Sequence, residues 1–200
     1  MSNEKQIEKN LNTVIKLIDK YIISNRKEKV LKMLEKYGDF YYTSPASSKK
    51  SFHSAFPGGL VHHTLEVCKN LFKFADVIAP EINKESLLIV GLFHDLGKAC
   101  TTSLQPIYVW NESEWHREKL GKIYELNPDI RDGLTHAQRS LRLITESGID
   151  LTDDEFQAIL FHDGQYLEEN KSISLKESKL LFLLHISDYY TYHFENDNNK

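Results

Sequence analysis

The chain has 200 residues, 40% of them hydrophobic and 27% charged, and its 25 basic and 29 acidic side chains leave a net charge of −4. This length suits one domain, and the small negative charge argues against bulk binding of nucleic acid or of a membrane surface. Two cysteines without CxxC spacing argue against a zinc ribbon or a disulfide framework. The lack of an apolar N-terminal stretch or a membrane-length apolar run predicts a cytoplasmic protein.

The first part of the chain combines helical periodicity with turn signals. Apolar residues recur every three or four positions from Ile7 to Ile22, which predicts an amphipathic helix. A second, short helix is predicted over 27–37 and is expected to end at Gly38, because glycine is common at helix C-termini. The sequence TSPASSKKS at 43–51 predicts a basic loop rich in turns.

The middle of the chain contains three more predicted helices and one segment of a different character. Helical periodicity runs from Leu60 to about Val77, from Glu85 to Leu96 and from Leu134 to Glu146. Residues 103–127 contain two potential short strands on either side of WNESEWHREKLG. We expect this segment to be a small irregular or β-hairpin insertion.

Two sequences of the capping-box type are predicted to begin the last two helices. The motif Thr152–Glu155 begins a helix that runs to about residue 162, and the motif Ser174–Glu177 begins one that runs to about residue 192. The sequence has no repeat, heptad array or low-complexity linker. The fold class is therefore expected to be all-α.

Nine histidines are the unusual feature of the composition, and several stand beside carboxylates on apolar helix faces. His94 continues the apolar stripe through Val90 and is followed by Asp95, so an imidazole and a carboxylate are expected to face the core together. Asp188 lies four residues after Leu184, on another apolar stripe. Buried acids are usually paired or bound to metal, because an unpaired buried charge is costly.

The helix that begins near Leu60 offers two histidines for such a site. His62 shares its helix face with the charged Glu66, whereas His63 shares its face with the apolar Val67. The inward histidine is therefore expected to be His63. The ordered series of candidate ligands is His63, His94, Asp95, His136, His162 and Asp188.

This series, H…HD…H…H…D, resembles the HD-domain superfamily of metal-dependent phosphohydrolases. The stretch PASSKKSFHSAFPGGLVHHTLEV resembles members with a GGLxxHT pattern, and GLFHDLGK resembles their HDxGK helix end. The likeness spans about residues 45–190 and implies an HD-domain helical bundle. The segment WHREKLGKIYELN is similar to an insertion of phage- and prophage-type HD hydrolases. We expect one HD-type domain over 1–200, made of N-terminal helices (1–42), a metal-binding core (43–192) and a frayed tail (193–200).

The resemblance implies two sets of metal ligands. His63, His94, Asp95 and Asp188 would form the first set, and His136 and His162, with Asp95 as a bridge, would form the second. Imidazole and carboxylate ligands suit Mn, Fe, Co, Ni or Zn better than Ca. Members with the first set alone can bind one metal, so the two further histidines favour two divalent ions per chain, although His162 stands at a helix end.

The resemblance also implies catalytic roles. Two cations about 3.5–4 Å apart can hold an activated hydroxide and clamp phosphate oxygens, with Asp95 between them. Lys98 would stabilise charge that develops on the phosphoryl group. Asp163 would orient the nucleophile or protonate the leaving oxygen, and an ordinary carboxylate in an Asp-Gly turn is the alternative.

Four basic residues are candidates for binding the substrate. Lys49, Lys50 and His53 precede the first ligand and are expected to contact further phosphates, with a solvated basic loop as the alternative. Arg139 lies one turn after His136 on the same predicted helix, where a surface salt bridge is the alternative.

The expected reaction is hydrolysis of a phosphoester in a nucleotide or a related small phosphorylated metabolite. A 3′-5′ exonuclease acting on single strands is an alternative, because proteins with the GGLxxHT pattern include such enzymes; the net charge and the lack of a visible OB-fold argue against it. Two further alternatives are a catalytically silent nucleotide-binding module and oxygen chemistry at a di-iron centre. The expected partner is a small phosphorylated substrate rather than a membrane, and the oligomeric state stays open.

Overall fold

The computed structural model describes residues 3–197, and these residues form α-helices with one small sheet. The helices are α1 (Asn3–Tyr21), α2 (Arg26–Thr43), α3 (Gly59–Ile78), α4 (Lys84–Phe93), α5 (Glu114–Leu120), α6 (His136–Glu146), α7 (Asp153–Phe161) and α8 (Lys179–Asp197). Short 3₁₀ turns span Leu96–Lys98, Gly164–Tyr166 and Glu168–Ile173. Strands β1 (Tyr108–Trp110) and β2 (Tyr124–Leu126) make the sheet. The prediction of an all-α fold with a small hairpin is confirmed.

Helix α4 is the centre of the bundle. Its sequence is apolar all round, which is typical of a helix enclosed by others, and every residue from Leu87 to Phe93 is buried. Helix α3 packs between α4 and α8, while α7 packs against α8 and α6. Helices α1 and α2 cover the bundle, and Tyr41 of α2 donates its buried hydroxyl to the carbonyl of Leu92 at 2.8 Å. No helix within residues 3–197 is long and apolar enough to cross a membrane.

A buried ionic cluster ties the start of α2 to two core helices. The Arg26 guanidinium lies 2.7 Å from a carboxylate oxygen of Glu85 on α4 and 2.7 Å from one of Glu155 on α7. The side chains of Glu85 and Glu155 are 4% and 0% exposed. One cation therefore pairs with two acids that would be costly to bury alone.

Helix α2 is longer than expected. It continues through Gly38 to Thr43, because Tyr41 and Tyr42 extend its buried face beyond the glycine. Gly38 does not end the helix, and a Cβ there would lie 3.2 Å from the Tyr42 ring. The irregular loop predicted over 43–51 begins at Ser44.

The segment 103–127 is the predicted hairpin insertion, with a short helix between its strands. β1 pairs antiparallel with β2, so that Tyr108 faces Leu126 and Trp110 faces Tyr124. Helix α5 begins after Ser113, whose side chain accepts the amide hydrogen of His116. The insertion is attached to the loop before α3, since the amide of Lys50 donates to the carbonyl of Gly121 at 2.7 Å.

The last helix begins and ends later than expected. The capping box predicted at Ser174–Glu177 is absent, because Leu175 has a positive φ of 63° that interrupts a helix. Ser178 caps α8 instead, and its hydroxyl accepts the amide hydrogen of Leu181 at 3.2 Å. The box at Thr152–Glu155 is present. Helix α8 continues to Asp197, so residues 193–197 of the predicted frayed tail are helical, and 198–200 lie outside the described residues.

Candidate metal centre

Five helices bring histidine and aspartate side chains to one point in the bundle. His63 lies in the second turn of α3, which begins after Gly58 in a left-handed conformation (φ 81°) that suits glycine. His94 and Asp95 directly follow the end of α4. The remaining members are the first residue of α6, the residue after α7 and a residue within α8, namely His136, His162 and Asp188. Each therefore stands on or next to a packed helix.

Asp95 lies between two groups of histidines, with one carboxylate oxygen facing each group. Its Oδ2 is 3.8 Å from Nε2 of His63 and 3.7 Å from Nε2 of His94. Its Oδ1 is 3.5 Å from Nε2 of His136 and 3.4 Å from Nε2 of His162. The side chain is 1% exposed. This is the arrangement expected of a carboxylate that bridges two cations.

Each group has the spacing of ligands around one ion. His63, His94 and Asp188 offer three atoms within 4.8 Å of one another, and Oδ1 of Asp188 lies 2.9 Å from Nε2 of His63. His136, His162 and Asp163 offer a second such set. Ligand atoms about 2.1 Å from one ion lie about 3–4 Å apart, so both groups could hold a metal.

The donor atoms are oriented for metal binding by the backbone. Nδ1 of His94 lies 3.0 Å from the carbonyl of Gly91, and Nδ1 of His162 lies 2.8 Å from the carbonyl of Ile159. A carbonyl only accepts, so Nδ1 carries the hydrogen and Nε2 of each neutral ring presents a lone pair. The buried Nε2 of His94 has no hydrogen-bond partner. A divalent ion would satisfy it, and the residues present therefore fit the metal.

The charges of the cluster favour cation binding. Burial raises the pKa of Asp95, but Lys98 and His94 outweigh it and hold the pKa well below its usual range. Burial lowers the pKa of His94 to about 4. Burial also lowers the pKa of His162, yet the carboxylates of Asp163 and Asp95 outweigh burial and raise it to about 9. Binding of a cation to His162 must therefore displace a proton.

The turn that carries His94 and Asp95 is held against α6 by contacts that sequence reasoning missed. The amide of Gly97 donates to Oγ of Ser140 at 2.7 Å, and the same hydroxyl donates to the carbonyl of His94 at 2.7 Å. Ser140 is fully buried. Its position four residues after His136 is the one signal in the sequence that could have indicated it.

Arg139 braces the same turn. Its guanidinium donates to the carbonyl of Gly97 at 3.1 Å and to the carboxylate of Asp132 at 2.9 and 3.0 Å. The salt bridge considered as the alternative to substrate binding is therefore present, and it joins the buried Arg139 to Asp132 at the surface. The side chain also borders a cavity with Lys98 and His136.

The other basic candidates lie in different surroundings. Nζ of Lys98 is 2.6 Å from Oδ2 of Asp95, and His53 places its ring centroid 4.3 Å from that of His63. Both border a cavity next to the cluster. Lys49 points its ammonium at the ring of Phe52, 5.5 Å away, and Lys50 is exposed beside the insertion. Of the three residues before the first ligand, His53 is the one that reaches the cluster.

Helical bundles in which histidine and aspartate side chains converge form one class of metal-binding proteins, and the fold and the cluster of this chain have these features. A sequence model of one such family, the HD domain, matches residues 60–192, which contain the whole cluster. The chain belongs to the HD domain family, whose members bind divalent metals and are generally hydrolases. Comparisons with curated proteins and with solved structures give no significant match.

Proposed function

We propose that the protein is a metal-dependent phosphohydrolase that cleaves a phosphoester of a nucleotide or a related small phosphorylated metabolite. The observation that carries the proposal is the position of Asp95, which has one oxygen toward His63 and His94 and the other toward His136 and His162. Two divalent ions per chain are proposed, drawn from Mn, Fe, Co, Ni and Zn.

The proposed ligand sets follow the two faces of Asp95. His63, His94 and Asp188 would hold the first ion, His136 and His162 would hold the second, and Asp95 would contribute to both. Bound divalent ions supply Lewis acidity and lower the pKa of water toward about 7. The chain's own part is to keep the carboxylates of Asp95 and Asp188 ionised and to orient the rings of His94 and His162 through the backbone bonds to Nδ1.

The residues around the ligands would handle the substrate. Lys98 borders two cavities next to the cluster. While it is paired with Asp95, its ammonium can therefore also reach a phosphate oxygen of a bound substrate. His53 brings two buried ring nitrogens without hydrogen-bond partners to one of these cavities, where the one that carries the hydrogen can donate to the substrate and the other can accept. The outer position of Lys49 and Lys50 suits attraction of an anionic substrate rather than contact at the reacting phosphate.

Asp163 is proposed as a positioning carboxylate or third ligand rather than a proton donor. Its Oδ2 lies 3.1 Å from Nε2 of His136. Burial raises the pKa of Asp163, but His162 and His136 outweigh burial and lower it. With its pKa lowered in this way, the Asp163 carboxyl group is ionised at neutral pH and is a poor proton donor.

A panel of phosphoesters tests the proposal. Nucleotides, cyclic nucleotides, oligonucleotides and an aryl phosphate are incubated with Mn, Ni, Fe or Mg, and metal content is measured after dialysis. His94→Ala, Asp95→Ala and His63→Ala should abolish hydrolysis. His62→Ala is the matched control, because His62 is the adjacent residue on α3 and packs instead toward Phe56, with the ring centroids 5.9 Å apart.

Two results would overturn the proposal. The first is fewer than about one tightly bound or restorable metal per chain. The second is retention of most activity by His94→Ala or Asp95→Ala.

A further inference from the structure

Two tyrosines stand at the edge of the cavity that borders the metal centre. This cavity of about 310 Å³ is lined by the candidate ligands His162 and Asp188, by Lys98, and by Tyr166 and Tyr189. Its size is at the lower end of the range of small-molecule sites, about 300–1,000 Å³. A ligand that fills it would touch the phosphate-handling groups and the tyrosines together.

The two rings lie nearly parallel and open to solvent. Their centroids are 6.1 Å apart and their planes differ by 15°. Tyr166 is 74% exposed and Tyr189 is 48% exposed. Exposed, aligned aromatic faces beside a polar site are typical of a binding surface.

The chain attaches both rings firmly to the metal centre. Tyr189 directly follows Asp188 on α8, and Tyr166 ends the 3₁₀ turn that follows Asp163. Gly164 lies against the ring of His185, where a Cβ would come within 2.8 Å of Nδ1. That Nδ1 is 2.8 Å from the carbonyl of His162. The tyrosine pair is therefore held at a set distance from the cluster.

We propose that Tyr166 and Tyr189 form a stacking platform for the base of a nucleotide whose phosphate lies at the metal centre. This inference rests on the proposed hydrolase function and narrows its substrate to nucleotides. A nucleobase is flat and stacks on aromatic rings, whereas a sugar phosphate has no flat face. Such stacking is worth about 5- to 150-fold in affinity per base.

The platform has room for one base. The rings next to the pair are His185, tilted by 44° to Tyr166 and by 34° to Tyr189, and His193, tilted by 62° to Tyr189. A second base of a strand would therefore meet no parallel ring on which to stack. The geometry therefore favours a mononucleotide over a polynucleotide strand.

Binding of two ligands that differ in the base alone tests the proposal. Adenosine 5′-monophosphate and ribose 5-phosphate, each with a methylene group in place of the bridging ester oxygen so that it is not hydrolysed, are titrated into the metal-loaded full-length protein, and binding is followed by calorimetry. Wild-type protein should prefer the nucleotide by about 5- to 150-fold. Tyr166→Ala and Tyr189→Ala should each reduce this preference toward one while leaving binding of ribose 5-phosphate unchanged.

Two further variants separate stacking from folding. Tyr166→Phe and Tyr189→Phe keep the ring and should keep the preference. Tyr190→Ala is the matched control, because Tyr190 is the adjacent residue on α8 and packs on Phe194 with centroids 4.3 Å apart. It should bind both ligands like the wild type.

Two results would overturn the proposal: no preference for the nucleotide in the wild type, or an unchanged preference in both alanine variants. The test is independent of catalysis. If the protein prefers the nucleotide but no metal form hydrolyses it, the proposed hydrolase function is wrong while the proposed stacking platform still stands.

Discussion

Gly97→Ala should separate helix α6 from the turn that carries the ligands. Gly97 does not have a positive φ, so its requirement is space rather than backbone conformation. A Cβ at this position would lie 2.6 Å from the backbone nitrogen of Ser140 and 2.9 Å from Cβ of Arg139, and still closer to the carbonyl oxygen of His136. Non-bonded atoms normally lie about 3.5–4.0 Å apart. Helix α6 must therefore retreat by about 1 Å.

This displacement moves one ligand set and leaves the other in place. His136 is the first residue of α6 and moves with it, whereas His63, His94 and Asp188 stand on other elements. Overpacking of this kind costs about 1–3 kcal/mol, which lowers Tm by about 2–12 °C in a chain of this length. A misplacement of about 1 Å at a catalytic site can cost about 100-fold in rate.

Elemental analysis after dialysis, thermal unfolding and turnover of the best substrate measure these effects. The variant should lose about one metal per chain and most of its activity while it stays folded. Gly38→Ala is the control, because a Cβ there meets only the movable ring of Tyr42 within α2. Gly97→Ala protein with the metal content, Tm and activity of the wild type would refute the reasoning.

Three further outcomes are expected. Ser140→Ala leaves the Gly97 amide and the His94 carbonyl without their partner, so stability should fall by about 1–3 kcal/mol and metal affinity by about 10- to 100-fold, measured by unfolding and by metal competition. Arg26→Met should lower the free energy of unfolding by about 3–5 kcal/mol at neutral pH, since it leaves the buried Glu85 and Glu155 without their cation. Burial raises the pKa of Glu85, but Ser24 and Arg26 outweigh it and hold the pKa below 4.5. The stability that the ionised Glu85 contributes is present above pH 4.5 and is lost as the pH falls below it. The Tm of the wild type should therefore drop at acidic pH, and the difference in Tm between the wild type and Arg26→Met should become smaller.

Matched variants control these outcomes. Ser147→Ala removes a hydroxyl at the other end of α6, where it donates to the carbonyl of Leu143 at 2.8 Å, and should leave metal affinity unchanged. Lys32→Met removes a cation of α2 whose exposed pair with Glu28 is screened by solvent and should contribute little to stability. Equal losses in Ser140→Ala and Ser147→Ala, or in Arg26→Met and Lys32→Met, would contradict the assigned roles of the buried contacts.

Local periodicity was enough to predict which side chains face the core. The choice of His63 over His62 depended on the neighbours at three and four residues, and His63 is fully buried while His62 is not. The inward position of His94 and Asp95 was predicted in the same way and is confirmed. Because helical side chains repeat every 3.6 residues, the helix face that packs against the core can be predicted from a single sequence.

Helix ends were predicted less well because tertiary packing decides them. Gly38 resembles a helix end, but the buried face of α2 continues past it to Tyr42. Ser174 and Glu177 match the sequence pattern of a capping box, yet the chain turns at Leu175 and Ser178 caps the helix instead. Local propensities of a few tenths to about 1 kcal/mol are easily outweighed by burial of aromatic side chains.

The pair His94-Asp95 shows what local sequence and tertiary packing each contribute. The sequence by itself determined that His94 and Asp95 face the core at the end of an apolar helix, together with the order of the other candidate ligands along the chain. Only the tertiary structure decided that Asp95 presents one oxygen to each histidine group, that Ser140 and Arg139 hold the turn, and that two tyrosines line the adjoining cavity. Such contacts join residues far apart in the chain, so they depend on how helices pack and not on local periodicity.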